Sequence, residues 1–209
     1  MKLRLALLAV LGLCLLTTPL VAQVDLYDDG PTDGTTDAWT INVGFTLSDS
    51  FTLSSPGNVS GLQFAAWLFP GDVLQSVEVS MTSDEFGGTI YFQQQVDITQ
   101  SGCVLNQYNY NVCTETAIFN GPSLNAGFYW LNLQNGVVNT GDPVYWDENR
   151  GPSEASENSL GTMPAESFTI LGSTGTTTTT GTTPEPGSLM LFGSGVLGFL
   201  GIVRRKFGR

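Results

Sequence analysis

The sequence predicts an all-β fold, an antiparallel β-sandwich of jelly-roll type, flanked by an N-terminal signal helix and a C-terminal transmembrane helix. Three observations carry the prediction. Apolar residues recur at every second position in several short runs, which is the period of half-buried strands. Turn chemistry separates the runs at Ser55-Pro56-Gly57-Asn58, Pro70-Gly71-Asp72, Gly87-Gly88, Asn120-Gly121-Pro122, Asn135-Gly136 and Gly141-Asp142-Pro143. Between residues 23 and 173 no apolar stripe combines helical spacing with a cap. Many short strands at this spacing are the mark of a sandwich.

In chain order, residues 1–22 read as a secretory signal peptide. Lys2 and Arg4 form its charged start, residues 5–16 its apolar centre, and Pro19-Leu20-Val21-Ala22 a small-residue exit with cleavage after Ala22. The partners implied are a secretion translocon and signal peptidase. A lipoprotein anchor needs a small residue ahead of Cys14, and Leu13 stands there.

The domain proper is assigned to residues 23–172. Trp39, Ile41, Val43, Phe45 and Leu47 alternate with Thr40, Asn42, Gly44 and Thr46 and read as one strand. Leu62, Phe64, Ala66 and Leu68 repeat the pattern, followed by Val73, Val77, Val79 and Met81, and by Ile90, Phe92, Val96 and Ile98. Residues 117–119, 127–133, 144–146 and 168–171 are the later strands. Residues 151–166 are polar and small, and read as a long surface loop. Residues 173–183 are a Thr/Gly-rich linker, too polar to bury anything.

Charge and cysteines agree with export. Residues 23–183 hold 18 of the 19 acids but only Arg150 of the 7 basic residues, a net charge of −17. Such a surface repels nucleic acid and anionic lipid. Once Cys14 leaves with the signal, Cys103 and Cys113 remain as a pair ten positions apart, on two short strands around a polar turn. In an oxidising compartment they are expected to form a disulfide.

Chemistry has few places to reside. The chain has no histidine, and residues 23–183 have no lysine, so no catalytic residue is assigned. A glycoside hydrolase would need two carboxylates facing one cleft, and adjacent pairs such as Asp84-Glu85 and Asp147-Glu148 point to opposite faces of a strand. Asp25, Asp28, Asp29, Asp33 and Asp37 lie among Gly30, Pro31 and Gly34 and offer oxygen ligands for Ca²⁺, without the EF-hand spacing; the other reading is a solvated acidic segment. Tyr145, Trp146, Asp147, Asn149 and Arg150 set aromatics beside polar groups, the kit of a lectin-like sugar site. The alternative is that an aromatic here belongs to the core and Arg150 pairs with a carboxylate.

The C-terminus carries Pro184, Glu185 and Pro186, then an uncharged block over 189–203 with four glycines, then Arg204, Arg205, Lys206 and Arg209. The block covers roughly 22 Å as a helix, short of the ~30 Å hydrocarbon core, and the transmembrane helix is assigned to 188–203. The cations behind it, residues 204–209, keep that end in the cytoplasm by the positive-inside rule. This order resembles the PEP-CTERM sorting signal of Gram-negative bacteria, over residues 184–209. The resemblance implies that an exosortase recognises Pro184, Glu185 and Pro186, cuts nearby, and passes the chain to the cell surface. It also implies transient anchoring in the inner membrane and an association with extracellular polysaccharide or biofilm. The expected function is a non-enzymatic exported surface protein, with a lectin-like module, calcium-assisted or not, as the alternative and glycoside hydrolysis behind it.

Overall fold

A computed structural model describes residues 23–174. The signal peptide, the Pro-Glu-Pro motif, the transmembrane helix over 188–203 and the basic tail lie outside the described residues.

Among the described residues there are fourteen strands and no helix. In chain order they are β1 (Val24–Asp28), β2 (Ala38–Thr40), β3 (Thr46–Leu53), β4 (Gly57–Leu68), β5 (Leu74–Asp84), β6 (Gly87–Asp97) and β7 (Thr99–Leu105). There follow β8 (Asn111–Ile118), β9 (Ser123–Leu124), β10 (Gly127–Val138), β11 (Tyr145–Asp147), β12 (Ala155–Glu157), β13 (Gly161–Met163) and β14 (Phe168–Thr174). One sheet runs β1-β14-β4-β11-β2, with β8 and β9 also on β4 and β7 on β8. The other runs β13-β12-β3-β10-β5-β6. Every pairing is antiparallel. The all-β antiparallel expectation is met, while these strand orders do not confirm a jelly roll.

The alternations identified in the sequence make the core. Leu62, Phe64 and Ala66 of the first sheet share one apolar cluster with Val77, Val79, Met81, Leu131 and Leu133 of the second. Trp146, fully buried, sits edge-on to Phe64 and Phe168 at ring distances of 6.1 and 5.7 Å, and its indole N–H donates to the Ser167 carbonyl at 2.9 Å. Offset and edge-on contacts of this kind add to the area they bury.

Four expectations are corrected. The run from Trp39 to Leu47 is not one strand. Val43 and Gly44 adopt φ of +55° and +93°, and the Phe45 N–H returns to the Asn42 carbonyl, so the chain turns and passes from the first sheet (β2) to the second (β3). The Asn42 side chain holds this turn, donating to the Asp142 carbonyl and accepting from the Val144 N–H. Val43, the β-branched residue most at odds with such a φ, is exposed instead of buried.

Asn135-Gly136 is not a hairpin turn but a bulge inside β10, where pairing with β5 shifts between Gln134 and Val137. A Cβ on Gly136 would stand 2.8 Å from Val144, so the glycine permits close approach of two chain segments. Residues 151–166 are not a free loop: β12 pairs with β3, all three of its residues are buried, and β13 completes a hairpin with it. The acidic N-terminal stretch supplies β1, paired to β14, and β14 extends to Thr174.

The disulfide is present. Cys103 and Cys113 are bonded at 2.05 Å and tie β7 to β8 on either side of the 106–110 turn.

Candidate functional site

The lectin-like set is divided by the pleat of β11. Successive side chains on a strand point to opposite faces. Trp146 therefore enters the inter-sheet core, while Tyr145 and Asp147 face outward. Asn149 is buried and structural: its amide N–H donates to the Asp29 carbonyl at 3.2 Å and its oxygen accepts from the Gly151 N–H. Arg150 is exposed, and no ion pair is made among the described residues. The five residues do not form one platform.

Tyr145 joins a different group. On the outer face of the first sheet, Tyr110 meets Tyr145 at 5.6 Å, Trp67 at 5.9 Å and Phe69 at 4.9 Å, and Tyr108 stacks on Trp67 at 5.8 Å with 25° between the rings. Tyr108 is 54% exposed and Phe69 37%. Burial and the neighbouring Tyr110 push the Tyr145 hydroxyl up to about 12. The available sequence signal was Trp67 itself, an aromatic on the off-beat of the 62, 64, 66, 68 alternation, with Tyr108 and Tyr110 nearby in a turn read only as polar.

Asp147 anchors this shelf from below. Its carboxylate accepts the Trp67 indole N–H at 2.6 Å and the Gly34 and Asp33 amides at 2.9 Å each. Burial nevertheless pushes it up to about 6. The 106–110 turn is fastened to the same loop by Asn106 donating to the Gly34 carbonyl and Gln107 donating to the Thr35 carbonyl. Beside them lies a groove of about 430 Å³ lined by Asp33, Thr35, Leu105, Asn106, Gln107 and Val112, among others.

The five N-terminal aspartates are not gathered around a common point. Asp25 lies exposed on β1; Asp28 accepts the Gly30 N–H; Asp33 accepts from Thr35 and Thr36; Asp37 accepts the Ala38 N–H. The Thr35 bonds hold Asp33 below the usual carboxylate range. Asp29 alone is buried, receiving the Tyr27 hydroxyl at 2.5 Å. Asp28, Asp33 and Asp37 thus accept from nearby backbone N–H groups, the usual use of aspartate in such loops. Among the described residues no group of three or more His, Cys, Asp or Glu is placed to hold a metal ion.

Acids that sequence reasoning missed lie deeper. Asp49 on β3 accepts the Glu166 N–H at 2.6 Å, and burial pushes its carboxyl up to about 7. Glu166, fully buried, is pushed well above the ordinary range by burial first and then by Asp49, Glu148, Asp147 and Asp37. Asp29 is also raised by burial. Gly151 packs so tightly on Asp29 that a Cβ would fall 1.9 Å from its oxygen. Glu115 on β8 points into the core with Cys113 and Ala117, has no hydrogen-bond partner for either oxygen, and is pushed up to about 8. Such carboxyls hold protons where exposed ones do not.

Residues 182–206 match the family description of the PEP-CTERM protein-sorting motif. The chain carries a PEP-CTERM sorting motif. The match contains Pro184, Glu185 and Pro186 together with Arg204, Arg205 and Lys206. The motif supports an exosortase-sorted, exported cell-surface protein. No curated protein matches the chain.

Proposed function

We propose that this PEP-CTERM protein is a non-enzymatic surface module. In this reading the sandwich is held in the extracellular polysaccharide or biofilm layer of a Gram-negative bacterium, after transient anchoring in the inner membrane through residues 188–203. The observation that carries it is the sorting motif standing behind an acidic sandwich that the chain completes by residue 174. Two features favour a non-catalytic role. Asp49 and Glu166, brought together where Asp49 accepts the Glu166 backbone N–H, are buried, and Asp28 and Asp33 cap turns. A net charge of −17 over residues 23–183 favours solubility in a hydrated matrix and disfavours nucleic acid as a partner.

The test is the intact mass of the chain recovered from the surface of producing cells. The mature protein is expected to begin at Gln23 and to end near Pro184, Glu185 and Pro186. Deleting the exosortase should leave residues 204–209 attached and the chain in the inner membrane. Blocking polysaccharide synthesis should release the processed chain into the medium. Recovery from the cytosol with Met1 and Arg209 both present refutes the reading.

The aromatic shelf favours a second reading, a lectin-like module. Tyr108 and Phe69 offer apolar faces above a rigid Trp67, with Asp33, Asn106 and Gln107 as polar neighbours. The same preparation on a glycan array, with and without Ca²⁺, decides it. Binding that is lost in Tyr108→Ala supports this reading, and a blank array removes it.

A further inference from the structure

We infer that the outer face of the second sheet carries a binding trough for a neutral polysaccharide chain. Val79, Leu131 and Leu133 point into the core, so the alternating Ser80, Asn132 and Gln134 point outward. They line a trough of about 230 Å³ that crosses β6, β5, β10 and β3 and reaches Asn158, and none of the residues lining it carries a charge. Its floor differs from an ordinary solvated sheet face. Asn132 is only 3% exposed; its amide N–H donates to the Thr82 hydroxyl at 3.0 Å, and its oxygen has no hydrogen-bond partner. A buried polar atom left unpaired is uncommon, and it gives the floor an unspent acceptor.

The walls are set by two devices. Glu78 accepts an amide N–H from each of Gln93, Gln134 and Asn135, at 2.6, 3.1 and 2.7 Å. Both carboxylate oxygens are thereby occupied, and the Gln93 and Gln134 amides are held in place along the trough. At the other end the pairing of β5 with β6 slips by one residue at Tyr91, so that Met81 faces Phe92 while Thr82 faces Ile90. The slip brings Ile90, 57% exposed, to the trough. Phe86, 40% exposed, joins it from the 85–86 turn with φ of +56°, a conformation unfavourable for a bulky residue. Backbone held in such regions clusters at ligand sites. A pyranose chain matches this surface: its hydroxyls both donate and accept, as the amides and hydroxyls of the trough require, and its C–H faces meet Phe86 and Ile90. A polyanion does not, because Glu78 stands alongside and residues 23–183 carry a net charge of −17. The trough lies on the other sheet from the Tyr108 shelf, and it rests on the surface-module reading only for where such a chain is met.

Affinity electrophoresis of the processed chain tests this, in gels holding dextran, laminarin or a galactomannan, with alginate as the anionic contrast. The wild type should be retarded by at least one neutral polymer and not by alginate. Ser80→Trp, which fills the trough, Phe86→Asn, which removes the ring but tolerates the turn, and Gln93→Ala should each weaken that binding at least about ten-fold. Tyr108→Ala should leave it unchanged. Gln93 is exposed, so Gln93→Ala serves should Ser80→Trp fail to fold. A wild type that no neutral polymer retards overturns the inference, as does equal retardation by alginate. Binding that survives Gln93→Ala also overturns it, and loss of that binding in Tyr108→Ala would assign it to the shelf. None of these outcomes bears on the processed termini, so failure of the trough is distinct from failure of the sorting reading.

Discussion

Asp147 and Glu115 are both fully buried carboxyls, and the chain treats them in opposite ways. Asp147, under the aromatic shelf, receives three donors, from Trp67, Gly34 and Asp33; Glu115, between the sheets, receives none. Burial pushes the first to about 6 and the second to about 8. The difference teaches that donors offset desolvation without cancelling it, and that they do so only where the backbone delivers them. At Asp147 a loop was folded to supply two amides. At Glu115 the neighbouring side chains, Cys113 and Ala117, have no donor to offer.

Breaking the comparison at its satisfied end should cost most. Asp147→Ala removes the acceptor from three donors at once, and leaving buried donors unpaired costs about 1–3 kcal/mol each at the upper limit. A loss of about 3–5 kcal/mol is expected by urea denaturation, at the high end for single substitutions. A loss under about 1 kcal/mol would mean that water reaches these amides.

At the unsatisfied end the sign reverses. Glu115→Gln keeps the shape of the protonated acid and removes the cost of keeping it neutral, so it should stabilise at pH 7 by an amount on the order of 2 kcal/mol. The pH dependence follows from direction. The folded pKa values of Glu115, Asp49 and Asp147, at about 8, 7 and 6, lie above their ordinary carboxylate values, so the folded state binds more protons than the unfolded one in this interval. Their stabilising contribution is fully present below about pH 4 and is lost as pH rises through about 6 to 8. Thermal melts of the wild type should therefore fall across that window. In Glu115→Gln the fall should be shallower and the gain over wild type should vanish near pH 4. The half-buried Asp33 and Glu78, held low by hydrogen bonds, act oppositely but weakly.

The smallest effect isolates one bond. Trp67→Phe keeps the aromatic contact with Tyr108 but removes the indole donor to Asp147, for an expected loss of about 1 kcal/mol. The same variant should raise the pKa of Asp147, which a pH-resolved melt or carboxyl NMR would detect.

Much of the fold was legible because its signal is local. Alternation marked β4, β5 and β10, and the two cysteines were read on paired strands around a turn, where the disulfide is found. Misreadings arose where one local pattern serves two geometries. Trp39 to Leu47 alternates like a single strand, but Asn42 and Gly44 permit a turn, and only the side-chain bonds of Asn42 to residues 142 and 144 select it. Residues 155–157 are too polar to look buried, and they are buried because β3 presents an edge for them to pair with. Trp146 was placed in the candidate sugar site on composition, whereas the pleat turns it inward and turns Tyr145 outward to partners 35 and 78 positions earlier, Tyr110 and Trp67.

By itself the sequence determined the all-β character, the cysteine pair, the extreme acidity and the sorting signal, because each rests on residue type and on spacing over a few positions. Tertiary structure alone decided which face of each strand met the other sheet, where the chain changed sheets, and which acids were sealed from water. Those outcomes depend on segments distant in the chain, and a period of two says that residues i and i+2 share a face without saying what that face will touch.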